Sequence, residues 1–212
     1  MYKVKNQDKI PVHQLTDEAI TARVVKLEST TPSEKLKQRI VKLNQFFDKP
    51  ESITLNSLMG RIYSTVDAYM DEMVYPGSVC RPSCAHCCKL RVQLTAFEAN
   101  YITLKTGITL NPDVTNDFEE DTAAEMDYCP FLNRKTALCE IFEYRPLACR
   151  SFTSIDSPAL CQDIHTPHMI HNTKSQPALQ NIYHWLVTQA NAVTSQSDNK
   201  TFVADIRDWF KP

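Results

Sequence analysis

With 212 residues, a hydrophobic share of 42% and a charged share of 23%, the chain has the make-up of a globular protein able to bury its own core. A formal net charge of −2 gives no hint of a nucleic-acid or membrane-surface partner. Only three glycines occur, Gly60, Gly77 and Gly107, so neither a Walker-type phosphate loop nor a dinucleotide-binding fingerprint can be written.

The first ten residues, Met1 to Ile10, lack the apolar run of a signal peptide. No stretch approaches the roughly 18 apolar residues of a membrane span. A cytoplasmic location is therefore expected, with no membrane or nucleic-acid partner. Residues 1–32 are polar, with a short helix expected near Asp17–Glu28. After Pro32, Ser33 can cap a helix to Phe47 on which Leu36, Ile40, Leu43 and Phe47 recur at helical spacing. A longer helix is expected over Ile53–Met73, its apolar face marked by Leu55, Leu58, Ile62, Val66, Tyr69 and Met73. Pro76-Gly77 ends it. Thr95-Ala-Phe-Glu98 fits a capping box, opening a helix that runs to Lys105 and closes at Gly107. Asn111–Asp127 is acidic and reads as an exposed loop or weak helix. The stretch from Cys129 to Cys161, broken by Pro130, Pro146 and Pro158, should form turns organised around ligands. Gln176–Ala192 and Asn199–Phe210 read as two closing helices, the first with Leu179, Ile182, Tyr183 and Leu186 on its core face.

The fold class expected is mainly α, a helical body around an irregular cysteine-rich metal-binding middle. We expect one domain over 1–212, with segment 80–161 packed on N-terminal helices (33–75) and C-terminal helices (176–210).

Eight cysteines carry the chemistry: Cys80, Cys84, Cys87, Cys88, Cys129, Cys139, Cys149 and Cys161. In a reducing cytosol such density points to metal or catalysis before disulfides. Thiolates two or three residues apart can wrap one ion from a single turn, and distant cysteines then close the coordination sphere. Eight thiolates could fill two four-coordinate sites or serve one larger centre. Adjacent Cys87 and Cys88 rarely face the same ion. Arg145 and Arg150 bracket Cys149 and could offset the negative charge of a thiolate centre. His86, His165, His168 and His171 are further candidate donors, more often exposed or simply hydrogen-bonded.

The order CRPSCAHCC, CPFL, CEIF, RPLACR and a final cysteine resembles the zinc- or iron-chelating cysteine-cluster family (YkgJ-like, CxxCxxCC) over about Cys80 to Cys161. This chain departs from the usual pattern in Ala85 and His86, where small residues, often glycine, are common. The resemblance implies a metal chelator, holding zinc or an iron–sulfur cluster. A related cluster occurs in a bacterial enzyme that methylates lysines of flagellin, but no adenosylmethionine site is recognisable here. Cys80, Cys84 and Cys87 also match the spacing of radical adenosylmethionine enzymes, whose barrel and glycine-rich loops this chain cannot supply.

The function expected is a metal-binding protein of redox or regulatory role. The alternatives are a cluster-dependent enzyme acting on a protein, or a zinc-stapled protein-interaction module with a protein partner. Whether it is an enzyme stays open.

Overall fold

Side-chain caps set where the long helices begin. Thr16, Ser33, Thr54 and Thr95 each turn an oxygen onto a free N–H of the following turn, at 3.2 to 3.4 Å. The helices they open are α1 (Asp17–Ser29), α2 (Glu34–Asp48), α3 (Leu55–Tyr69) and α4 (Ala96–Thr106). A computed structural model describes residues 16–115, 127–162, 166, 168–188 and 203–210. Among the described residues the remaining α-helical segments are α5 (Leu147–Ser151), α6 (Pro177–Thr188) and α7 (Ile206–Trp209). The fold is mainly α, with the cysteine-rich segment set into the helical body.

Helix α3 runs on through a π turn, Met70–Val74, and stops in a 3-10 turn at Tyr75–Gly77. The expected Pro76-Gly77 stop is thus met, although the final helical turn is wider than an α-helix. Helix α4 carries the expected capping box and ends on Gly107 at φ 74°, a left-handed conformation that a side chain would strain.

Among the described residues, two apolar clusters fill the interior. The first joins Leu43 and Phe46 of α2, the buried face of α3, Phe97 and Tyr101 of α4, Leu147 of α5, and Leu179, Ile182, Trp185 and Leu186 of α6. Trp185 stacks on Phe47 with ring centroids 4.4 Å apart. The second joins Val92, Leu94, Ala96, Ala99, Ile102, Phe131, Ile141, Ala204, Ile206, Trp209 and Phe210. Because α4 serves both clusters, it is apolar on opposite faces, as a buried helix must be.

Short antiparallel pairs tie the segments together: β1 (Gln93–Thr95) with β6 (Val203–Asp205), β2 (Leu132–Asn133) with β3 (Leu138–Cys139), and β4 (Thr153–Ser154) with β5 (Ile170–His171). The first pair corrects the helix expected over Asn199–Phe210. Among the described residues of that stretch, Val203–Asp205 is a strand in the register Gln93↔Asp205, Leu94↔Ala204, Thr95↔Val203. Only Ile206–Trp209 is helical. The cause is Asp205, whose carboxylate accepts from Val92 N at 2.7 Å and caps the turn through Arg207 N at 2.9 Å. Apolar residues four apart suit a helix in the sequence, but this carboxylate marks where strand gives way to helix. The Asn111–Asp127 expectation falls largely outside the described residues, as do residues 189–192.

Candidate metal centre

The cysteine segment begins where α3 ends. Ser78 meets Thr153 hydroxyl to hydroxyl, and its oxygen accepts from Cys80 N at 3.1 Å. Val79 N donates to Ser154 O at 3.0 Å, and Ser154 N donates to Cys80 Sγ at 3.3 Å. Cys80 is thereby fixed alongside β4. Ser83, at φ 66°, then reverses the chain, with Cys84 N on Arg81 O at 3.1 Å. A 3-10 turn over His86–Lys89 presents Cys87 and Cys88, and it packs against the 3-10 turn Leu160–Gln162 that carries Cys161.

A second group comes from further along the chain. Cys129 N donates to Cys88 O at 2.8 Å, and Cys139 lies opposite Leu132 in the β2–β3 hairpin. Cys149 sits within α5. Glu98 positions that helix: its carboxylate closes the α4 capping box and also accepts from Leu147 N at 2.7 Å and Tyr63 Oη at 3.1 Å. A capping box is legible in sequence. The second helix it holds is not, because the contact spans 49 positions.

All eight cysteines are free thiols and half-buried. Three follow one local rule: the N–H two residues on donates to the sulfur, from His86 to Cys84, Phe131 to Cys129 and Ile141 to Cys139. Such N–H groups stabilise thiolate once it forms and orient it as a ligand. Burial and neighbouring sulfurs act in the opposite direction. Burial, then Cys87, Cys129 and Cys139, pushes the Cys149 thiol well above its ordinary value. Burial, then Cys80, Cys84 and Cys87, pushes Cys161 to about 12, and burial takes Cys129 to about 11. Its hydrogen bond with Cys88, followed by burial, raises Cys87 strongly. These groups are neutral thiols unless a cation compensates them. As the side chains stand, no three His, Cys, Asp or Glu residues among those described are drawn up around a point that would hold one ion.

Arg145 and Arg150 divide sharply. Arg145 lies within electrostatic reach of Cys87, Cys139 and Cys149. Its guanidinium stacks 4.0 Å over Phe142 and donates to Tyr75 Oη at 3.0 Å, while its Nε is buried without a partner among the described residues. An unmatched buried N–H beside several sulfurs fits a centre that becomes anionic when loaded. Arg150 does not take the charge-offsetting role expected of it. It grips both oxygens of Asp67 at 2.6 Å, donates to Arg145 O at 2.8 Å and to Glu143 O, and covers the Tyr63 ring at 4.1 Å. It clamps the loop that carries Arg145. Nothing local in the sequence pairs Arg150 with Asp67, 83 positions away.

The histidines separate likewise. His168 Nδ1 is 3.4 Å from Asp156 Oδ1. His171 Nδ1 is 3.0 Å from Ser151 O, and burial pushes its ring toward the neutral form. His86 lies in the turn between Cys84 and Cys87, and His165 is outside the described residues.

Residues 79–179, just under half of the chain, match the family model CxxCxxCC, described as a "Putative zinc- or iron-chelating domain". The match covers all eight cysteines together with Arg145 and Arg150. It upholds the resemblance drawn from the residues and agrees with zinc or iron–sulfur as the group bound. No curated protein and no solved structure matches the chain. No described helix is long and apolar enough to cross a membrane.

Proposed function

We propose that the chain is a single-domain, cytoplasmic metal-binding protein. Its ligands are drawn from Cys80, Cys84, Cys87, Cys88, Cys129, Cys139, Cys149 and Cys161, which hold zinc or an iron–sulfur cluster for a redox or regulatory role. The carrying observation is the buried Nε of Arg145, without a partner among the described residues, beside Cys87, Cys139 and Cys149. The family description of segment 79–179 supports the same reading. A bound zinc would staple these loops, and a cluster would add one-electron chemistry. The chain's own contribution is to orient sulfur through N–H donors and to offset charge through Arg145.

A second reading, a metal-stapled module for a protein partner, draws on the β2–β3 hairpin. Leu138 on that hairpin and Phe142, in the 3-10 turn just beyond it, are 48% and 38% exposed on either side of Cys139.

Elemental analysis of protein purified without oxygen tests the primary reading. Stoichiometric zinc, or iron with sulfide, is the expected result, with loss of the metal on Cys139→Ser. Folded protein that never carries metal contradicts it.

A further inference from the structure

Helix α3 and the turns that extend it grip the Arg145–Arg150 loop at two points. Asp67 holds Arg150 through both carboxylate oxygens at 2.6 Å, and Tyr75, eight residues further on, holds Arg145. In an unbroken α-helix of about 3.6 residues per turn, residues eight apart point about 80° away from each other. The chain between these two is not regular. Met70–Val74 forms a π turn, and Tyr75 N reaches back five residues to donate to Met70 O. A π turn advances fewer degrees per residue than an α turn, so it takes back much of that angle and turns Tyr75 toward the face of Asp67. Such turns are rare, and many lie at functional sites.

The Tyr75 hydroxyl is used in both directions. Its oxygen accepts from Arg145 Nη2 at 3.0 Å, while its O–H donates to Arg150 O at 3.0 Å. Arg150 Nε donates in turn to Arg145 O at 2.8 Å, closing a ring through Tyr75, Arg145 and Arg150. The single hydroxyl proton is committed to the carbonyl, which leaves a lone pair for the guanidinium. Arg145 is thereby held 4.0 Å over the Phe142 ring, with its Nε buried and without a partner among the described residues. Cys139 lies three residues before Phe142, and Cys149 four residues after Arg145. Tyr144, next to Arg145, packs with Cys129, Cys139 and Cys149 against the second apolar cluster.

We infer that Tyr75 is a positioning residue of the metal centre, its hydroxyl orienting the Arg145 guanidinium beside the thiols, an assignment that rests on the metal-binding reading above. An arginine free to swing into solvent offsets the charge of a thiolate centre only part of the time, and its ordering has to be met when metal binds. The ring sets that side chain before loading.

The experiment is Zn(II) retention against a competing chelator for wild type, Tyr75→Phe, Arg145→Gln and the double variant, with thermal melting and Co(II)-substituted spectra of each. Tyr75→Phe loses one hydroxyl and should retain Zn(II) about fivefold less tightly. The Co(II) charge-transfer band should move in the same direction in Tyr75→Phe and Arg145→Gln. In the Arg145→Gln background, Tyr75→Phe should weaken retention no further. Folded Tyr75→Phe with wild-type retention overturns the assignment. So does a loss of equal size in the Arg145→Gln background, which would mean that Tyr75 acts through the fold and not through Arg145. Should Tyr75→Phe fail to fold, 3-fluorotyrosine at position 75 weakens the same acceptor; unchanged retention then overturns the assignment, and lowered retention upholds it. Wild-type protein that takes up neither Zn(II) nor Co(II) overturns the metal-binding reading itself, and the role of Tyr75 with it.

Discussion

Arg145 and Arg150 flank the same cysteine and look equivalent in the sequence, yet they face different partners. Arg145→Gln removes the guanidinium beside Cys87, Cys139 and Cys149, and should weaken metal retention about tenfold in competition with a chelator. Arg150→Ala breaks the Asp67 pair and releases the carbonyls of Glu143 and Arg145, so it should cost about 3 kcal/mol in denaturant unfolding. Below its melting point, the Arg150 variant should keep the wild-type thiolate-to-metal absorption. Equal effects of both changes on retention would show that the division is wrong. The sulfurs themselves set the pH response. Metal binding requires thiolate, and burial pushes the Cys129 thiol up to about 11 and, with Cys80, Cys84 and Cys87 nearby, Cys161 up to about 12. Affinity should therefore keep rising with pH from about 6 to about 9, instead of levelling off at the ordinary thiol range near 8.5. A plateau at about 8 in a metal-competition titration would count against buried, protonated ligands.

At the scale of elements, the sequence marked helices wherever a capping side chain preceded an apolar period. Ser33 and Thr95 did so, and α2 and α4 start one residue beyond them, whereas α3 starts at Leu55 behind a Thr54 cap, two residues later than the expected Ile53. What it could not mark were elements built by distant contacts. Helix α5 has only five residues and is held by Glu98 from α4, so local periodicity is too short to reveal it. The β1–β6 pair joins positions more than a hundred residues apart, and three-residue strands carry almost no alternation. Helix α1 is a different case: it was legible, yet it buries no residue of its own. Its attachment is Leu27 packed on Gly77 and Arg23 donating to the carbonyls of Gly77 and Ser78. A Cβ on Gly77 would lie 2.8 Å from Leu27 Cγ. Gly77→Ala should push α1 away and speed trypsin cleavage after Arg23 or Lys26, at a global cost of about 1 kcal/mol. Unchanged cleavage would mean that α1 is held by other contacts.

For the whole molecule, the cores and the cysteine centre are distinct sources of order. The first apolar cluster draws mainly on α2, α3, α4 and α6 and contains no cysteine, whereas Cys129, Cys139 and Cys149 line the second. Stripping metal should leave most helical circular dichroism in place while exposing amides between residues 129 and 162 to hydrogen exchange. Cooperative loss of all helical signal on chelation would instead make the metal the organiser of the entire fold. Candidate donors were legible in the sequence as eight cysteines in short-spaced groups, a density that points to metal wherever thiols stay reduced. Which loops lie beside one another was not, since that depends on contacts between distant segments such as Cys129 N on Cys88 O.

Whether these thiols hold metal is tested most directly by elemental analysis with an ultraviolet–visible spectrum of oxygen-free protein. Stoichiometric metal is the predicted result: either colourless protein with zinc, or brown protein with iron, sulfide and a broad band near about 400 nm. Folded, colourless protein with neither zinc nor iron, whose eight thiols all react freely with a thiol reagent, would contradict it.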